Sequence, residues 1–195
     1  MKTQMIKARK AVVRHMATLL AGLCCVATVH AADFTVESPD FAPWTTLKHA
    51  HIFNGFGCTG GNTSPALMWK NPPAGTLSYA ITAYDPDAPT GSGWWHWVLI
   101  NLPPTLMGLP TGAGNGNALP KGAVQTPTDF GTAGYGGPCP PLGDKQHRYI
   151  FTVYALKVDK IDVPPNASGA MVGYFLNANA LGTATITGYY GRQSR

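Results

Sequence analysis

Two short blocks of this chain repeat one plan. Tyr84-Asp85-Pro86-Asp87-Ala88-Pro89 runs into Trp94-Trp95-His96-Trp97, and Gly136-Gly137-Pro138-Cys139-Pro140-Pro141-Leu142-Gly143 runs into His147-Arg148-Tyr149. In each, a proline-stiffened loop precedes a histidine at the mouth of an aromatic-rich strand. A carboxylate that accepts from one imidazole nitrogen fixes the tautomer and favours the protonated ring. An imidazolium beside backbone N–H groups hosts an anion, and a second carboxylate can meet an ammonium group on the same ligand. Asp-Pro sequences also arise as plain turns in which Asp caps local amides. The pairing of two such loops, each with its own histidine, points instead to a small pre-formed polar pocket.

The elements that must carry these blocks read as short strands. Gly and Pro are frequent, charge is sparse, and apolar runs alternate with turn signals, the pattern of an all-β sandwich rather than of βα repeats. Strands are expected at 34–37, 47–53, 67–69, 77–84, 94–102, 122–125, 148–157 and 183–190. Both parities of the strand at 148–157 are apolar, so it should lie centrally with both faces covered. Strict alternation puts Trp95 and Trp97 on one face of their strand and Trp94 and His96 on the other. His49 and His51 share a face of an early strand and read as structural or exposed. One helix is expected over 170–181, capped by Asn166 or Ser168 and stopped by Gly182, with Met171, Phe175 and Leu176 as its core face. The segment 108–116 reads as a Gly-rich loop.

Composition bounds the function classes. Lys2, Lys7, Arg9, Lys10 and Arg14 precede an apolar stretch from Met16 to Val29, and Val29-His30-Ala31 places small residues at a cleavage site. Residues 1–31 therefore read as a cleaved Sec-type secretory signal peptide, with cleavage after Ala31, and 32–195 as a single domain. The apolar stretch is too short for a transmembrane anchor. Leu23 before Cys24, and Cys24 before Cys25, do not make a lipidation site. Without the signal's five basic residues the chain has nine basic and nine acidic residues, so its basic excess is a targeting device and nucleic-acid binding is not expected. Only Cys58 and Cys139 remain, and in an oxidising compartment two such thiols are expected to be bridged. Their spacing does not fit a thiolate metal site, and no cofactor is expected. Gly55-Phe56-Gly57-Cys58-Thr59-Gly60 spells a dinucleotide fingerprint, but loop-forming Gly61-Asn62-Thr63-Ser64-Pro65 follows where a helix should open. Asn62-Thr63-Ser64 and Asn166-Ala167-Ser168 spell glycosylation sites in positions that read as a turn and a helix cap.

The blocks Asp85-Pro86-Asp87-Ala88-Pro89, Trp95-His96-Trp97, Gly137-Pro138-Cys139-Pro140-Pro141-Leu142-Gly143 and His147-Arg148-Tyr149 resemble the two signature regions of the phosphatidylethanolamine-binding protein (PEBP) family. The resemblance is to its bacterial YbhB/YbcL-type, Raf-kinase-inhibitor-like subgroup. Phe56-Gly57-Cys58, Asn62-Thr63-Ser64-Pro65 and Asp129-Phe130-Gly131 are similar too, and the exported branch shares the positions of Cys58 and Cys139. The resemblance implies a mostly β fold, an antiparallel β-sandwich with a large central sheet and a smaller one, here with a C-terminal helix. It also implies an anion pocket for phosphate or a phosphoethanolamine head group where the signature loops converge. Carried over residue by residue, that pocket comprises Asp85, Pro89, His96, Pro140, His147 and Tyr149, with Asp87 supporting the loop and Trp94 or Trp95 walling the entrance. Cys139 stands where eukaryotic members tend to have Gly, and Leu142 where they tend to have a basic residue.

The expected function is an exported, periplasmic or secreted, non-catalytic protein that binds a small anionic ligand and modulates or inhibits an unknown protein target. A His/Asp-dependent hydrolase is the alternative enzyme, although no G-x-S-x-G nucleophile or metal-binding helix motif occurs. A third reading is a protease-inhibitor-like interaction protein with a vestigial pocket. A homodimer is implied by resemblance alone.

Overall fold

The computed structural model describes residues 32–116 and 119–193; the expected signal segment, 1–31, lies outside them. Its strands are β1 (Thr35–Glu37), β2 (Asn54–Gly55), β3 (Cys58–Thr59), β4 (Leu67–Lys70), β5 (Ser78–Asp85), β6 (Trp94–Leu102), β7 (Gly108–Leu109), β8 (Val124–Gln125), β9 (His147–Leu156) and β10 (Ala180–Tyr190), with one helix, α1 (Gly169–Asn179). A five-stranded antiparallel sheet runs β10-β9-β5-β6-β8, a three-stranded sheet runs β1-β4-β7, and β2-β3 is a separate hairpin. This is the mostly β sandwich expected, and β9 lies inside the large sheet between β10 and β5.

The two apolar parities of β9 explain the layers. Tyr149, Phe151, Val153 and Ala155 face a core shared with Val36, Leu67 and Trp69 of the small sheet. On the opposite face, Ala80, Val98, Ile100 and Leu156 pack against Val172 and Leu176 of α1. Burial of these side chains, about 1.5–3 kcal/mol each for the larger aliphatic and aromatic ones, holds three layers together.

Several local expectations are corrected. Residues 47–53 do not form a strand: His49–His51 is a single 3-10 turn, and only Thr46 bridges Tyr189. Only Leu47 N–H reaches a strand, donating to the Tyr189 carbonyl of β10; beyond it the carbonyls are taken by the next loop, with Gly61 N–H donating to His49, Thr63 to Ala50 and Asn62 to Ile52. His51 is buried, with Nδ1 2.8 Å from the Thr63 carbonyl, a structural role. The loop expected at 108–116 contains β7 and a short 3-10 turn. The letters of the dinucleotide fingerprint form the β2-β3 hairpin: Phe56 and Gly57 both have positive φ (50° and 79°), as a tight two-residue hairpin turn requires.

The helix starts where expected, with Ser168 accepting from Met171 N–H at 3.2 Å, but it ends at Asn179 and passes straight into β10. Gly182 lies within that strand, beside a register shift. Its buried face is Gly169, Val172, Gly173 and Leu176, while Met171 and Phe175 are exposed, because the Trp95 indole presses on the helix. A Cβ at Gly169 would lie 2.4 Å from that ring.

The position of Trp95 follows from a bulge. Ala83 pairs with Trp97, yet Tyr84 pairs with Trp95, so His96 is the extra residue. Trp94, His96 and Trp97 therefore share the inner face, and Trp95 alone points to the helix side. Alternation keeps Trp94 with His96 but fails for the pair Trp95 and Trp97.

Candidate ligand-binding site

Neighbouring strands deliver the chemistry to one end of the large sheet. Asp85 ends β5, His96 is the bulge of β6, and His147 and Tyr149 open β9, which pairs with β5. Beside them is a cavity of about 220 Å³ lined by Asp85, Pro89, His96, Pro140, His147 and Tyr149, together with Phe56, Ala88, Thr90, Trp94, Phe130, Cys139 and Pro141. That volume is below the roughly 300–1,000 Å³ of drug-sized sites.

At the base, Asp85 Oδ2 accepts from His147 Nδ1 at 2.8 Å, and Asp85 Oδ1 accepts from Asp87 N–H at 2.8 Å. The second nitrogen of His147 lies 3.3 Å from Asp144 Oδ2. His96 Nδ1 donates to the Gly136 carbonyl at 2.7 Å, so the nitrogen left for a ligand is Nε2. Burial, opposed by that carbonyl and by the charge of Asp85, lowers the pKa of His96 to about 4. The ring is neutral at pH 7, with Nε2 an acceptor. The Tyr149 hydroxyl is buried without a hydrogen-bond partner. Burial and the nearby Asp85 charge push that phenol well above its ordinary pKa, so it remains a proton donor.

The rims are fixed independently. Asp87 lies outside the cavity and holds the first loop: its carboxylate accepts from Arg148 Nε and a terminal nitrogen, each at 2.8 Å, and from Arg148 N–H at 3.0 Å. The guanidinium keeps the Asp87 carboxyl well below the usual range. The second loop is packed backbone to backbone. A Cβ at Gly137 would lie 2.1 Å from the His51 carbonyl, and Asn62 Oδ1 accepts from Gly137 N–H at 2.8 Å. Phe130 covers Gly136, where a Cβ would meet its ring at 2.4 Å. Cys58 and Cys139 are joined across 81 residues, tying the β2-β3 hairpin to the proline loop. Arg192 repeats the tie, donating to the Pro140 carbonyl at 2.6 Å and the Gly57 carbonyl at 3.1 Å.

The structure thus brings together Asp85, Pro89, His96, Pro140, His147 and Tyr149, and leaves out Asp87 and Trp95. Trp95 faces α1 because of the bulge, and Trp94 is the wall. Sequence reasoning missed Phe56 and Phe130 as lining residues. Their signal was an aromatic residue followed by a loop glycine, Phe56-Gly57 and Phe130-Gly131, but only the folded chain puts them over the cavity. Among the described residues, no group of three His, Cys, Asp or Glu side chains is placed to hold a metal ion, and no helix is long and apolar enough to cross a membrane.

The family model for phosphatidylethanolamine-binding proteins matches residues 37–191. The chain belongs to that family. It is 56% identical over 165 residues to the UPF0098 protein YbcL of Escherichia coli, covering 84% of this chain and 90% of YbcL. It is 53% identical over 154 residues to the UPF0098 protein YbhB of the same organism, covering 78% and 97%. The crystal structure of E. coli YbcL, described as a member of the mammalian PEBP family, superposes with a TM-score of 0.80 at 57% identity, covering 82% of this chain and 99% of that one. The PEBP homolog CT736 of Chlamydia trachomatis superposes at 0.68 with 28% identity, covering 82% and 97%. Two rim departures noted in the sequence have a place within this fold: Cys139 takes up the disulfide, and Leu142 is exposed and makes an isolated bridge to Arg192, beyond the end of β10.

Proposed function

We propose that this is an exported, non-catalytic PEBP-family protein that binds a small oxyanion, phosphate or a phosphoethanolamine-like ester, in the Asp85–His96–His147–Tyr149 cavity. The observation that carries the reading is the Tyr149 hydroxyl, buried without a hydrogen-bond partner in a residue that lines the cavity with Asp85, His96 and His147. A buried donor without a partner costs about 1–3 kcal/mol, a cost that a ligand oxygen would offset. Neutral His96, with Nε2 as acceptor, suits an oxyanion that still carries a proton, such as the monoanion of a phosphate ester. Binding then places that proton between ligand and ring.

Export is supported by the signal-like residues 1–31 and by the disulfide. A relative in Mycobacterium tuberculosis, 34% identical over 160 residues, carries a candidate-lipoprotein name, LppC. The non-catalytic reading is supported by the disulfide, which leaves neither Cys58 nor Cys139 as a free thiol nucleophile; the His147–Asp85 pair is what the hydrolase alternative would use. Modulation of a protein target, or pairing with a second copy, is part of the proposal. It is supported by Met171, Tyr174 and Phe175, which stand exposed on α1 in a stretch with no charged residue from 163 to 191.

Calorimetric titration of the mature protein with inorganic phosphate and phosphoethanolamine tests the reading, with Tyr149→Phe and His147→Ala as controls. Saturable binding weakened by both substitutions is expected. No heat at millimolar ligand would remove the pocket from the proposal, and product release from a phosphoester, lost in His96→Ala, would replace it with the hydrolase.

A further inference from the structure

We infer that the tip of the β2-β3 hairpin gives the cavity a second subsite, in which Phe56, Trp94 and Phe130 grip a flat apolar substituent on the oxyanion, so that the preferred ligand is an aryl phosphate ester rather than free phosphate. The inference rests on the oxyanion reading above and goes beyond it in naming the ligand's other half.

The placement of Phe56 carries it. This residue occupies the first central position of a two-residue turn with φ of 50°, a left-handed conformation usually given to Asn, Asp or Gly. The residue is 70% exposed, so core burial does not account for a large aromatic at a strained site. Yet it lines the cavity, with its ring 5.8 Å from Phe130 and inclined by only 23°. Phe130 in turn meets Trp94 edge-on at 5.4 Å, so the rings of Phe56, Phe130 and Trp94 form a continuous aromatic wall.

The hairpin is held in place more firmly than its two short strands would manage. Residues on either side of the tip are tied down, Cys58 to Cys139 and the Gly57 carbonyl to Arg192. A fixed aromatic presented over a pocket loses little entropy on stacking with a ring. The cavity lining includes no Lys or Arg, so a bare, fully charged anion gains no counter-charge from the walls. A monoester with one flat apolar arm satisfies both halves: oxygens toward Tyr149 and His96, and a ring toward Phe56.

The test compares inorganic phosphate, phenyl phosphate and phosphocholine by calorimetry on the mature protein, on Phe56→Ala and on Phe56→Tyr. Non-reducing mass analysis confirms in each variant that the Cys58–Cys139 bridge persists. We expect phenyl phosphate to bind roughly tenfold tighter than phosphate, the scale of one good aromatic stack. The ratio of the two affinities should collapse towards one in Phe56→Ala and persist in Phe56→Tyr. A ratio near one in the natural sequence, or one that survives Phe56→Ala, overturns the subsite while leaving the oxyanion reading standing. A gain for phosphocholine instead of phenyl phosphate also overturns it, since the rings would then grip a cation. Absence of binding by all three ligands would sink the oxyanion reading and the subsite together.

Discussion

Asp85 Oδ2 lies 2.8 Å from His147 Nδ1, with both side chains almost fully buried at the junction of β5 and β9. The pair joins the two signature loops through the sheet itself, since one residue ends the strand before the first loop and the other begins the strand after the second.

Breaking that pair from one side should be costly for the fold. His147→Ala strands the Asp85 carboxylate in the interior, a loss of roughly 3–5 kcal/mol. At about 2–4 °C per kcal/mol for a domain of this size, thermal unfolding should move down by about 10 °C. Asp85→Asn combined with His147→Gln should recover part of the loss; a double variant no better than His147→Ala would argue against the pairing.

Tyr149→Phe should separate stability from binding. It removes only a buried hydroxyl without a partner, so the melting temperature should hold or rise slightly, by the equivalent of about 1 kcal/mol. Phosphate affinity should fall about tenfold, the worth of one hydrogen bond to a charged group. Parallel loss of both properties would place the hydroxyl in the fold rather than in the site.

His96 predicts an acid-labile fold. Its folded pKa, about 4, lies below the ordinary 6.5, so between those values the unfolded chain binds the proton that the folded chain refuses. The contribution is complete above about pH 6.5 and is lost as pH falls towards about 4, reaching about 3 kcal/mol in the limit. Denaturant unfolding at pH 7 and pH 4.5 should show the drop, and His96→Gln should flatten it. Bound oxyanion, by stabilising the protonated ring, should raise the pH at which His96 titrates by NMR.

Asp144 faces the second nitrogen of His147 at 3.3 Å from an exposed turn, and His147 holds its carboxyl below the usual range. It adds negative charge beside a cavity proposed for an anion. Asp144→Asn should therefore tighten phosphate binding several-fold at low salt, and the gain should fade at high ionic strength. Weaker binding in that variant would mean that Asp144 positions His147 for the ligand.

The bridge between Cys58 and Cys139 should contribute about 4–5 kcal/mol on the chain-entropy account of a loop this long. Reduction, or Cys58→Ser with Cys139→Ser, should lower the denaturant midpoint accordingly and loosen the rim. Protection of amides near Phe56 and Pro140 in hydrogen exchange should fall first, with the β9 core unchanged.

Much of the site was legible because its parts are local. Proline, paired acids and histidines at strand mouths carry their meaning in short windows, and Asp85, Pro89, His96, Pro140, His147 and Tyr149 meet as expected. The failures are of another kind. Residues 47–53 look like a strand, but backbone pairing depends on a neighbour, and the neighbour here is a loop. Met171 and Phe175 look like a helix core, but Trp95 needs the space above two glycines instead.

By itself, the sequence determined the strand-rich class, the central place of β9 through its doubly apolar pattern, the two rigid loops and the identity of the acids and histidines between them. Only the tertiary structure decided which aromatic walls the cavity. One bulge residue, His96, breaks the two-residue period, and a period is all that a strand sequence carries about its faces. The same limit holds for Phe56. Nothing within the hairpin says what lies opposite its tip; the disulfide and Arg192, contributed by segments far along the chain, decide that it hangs over the pocket.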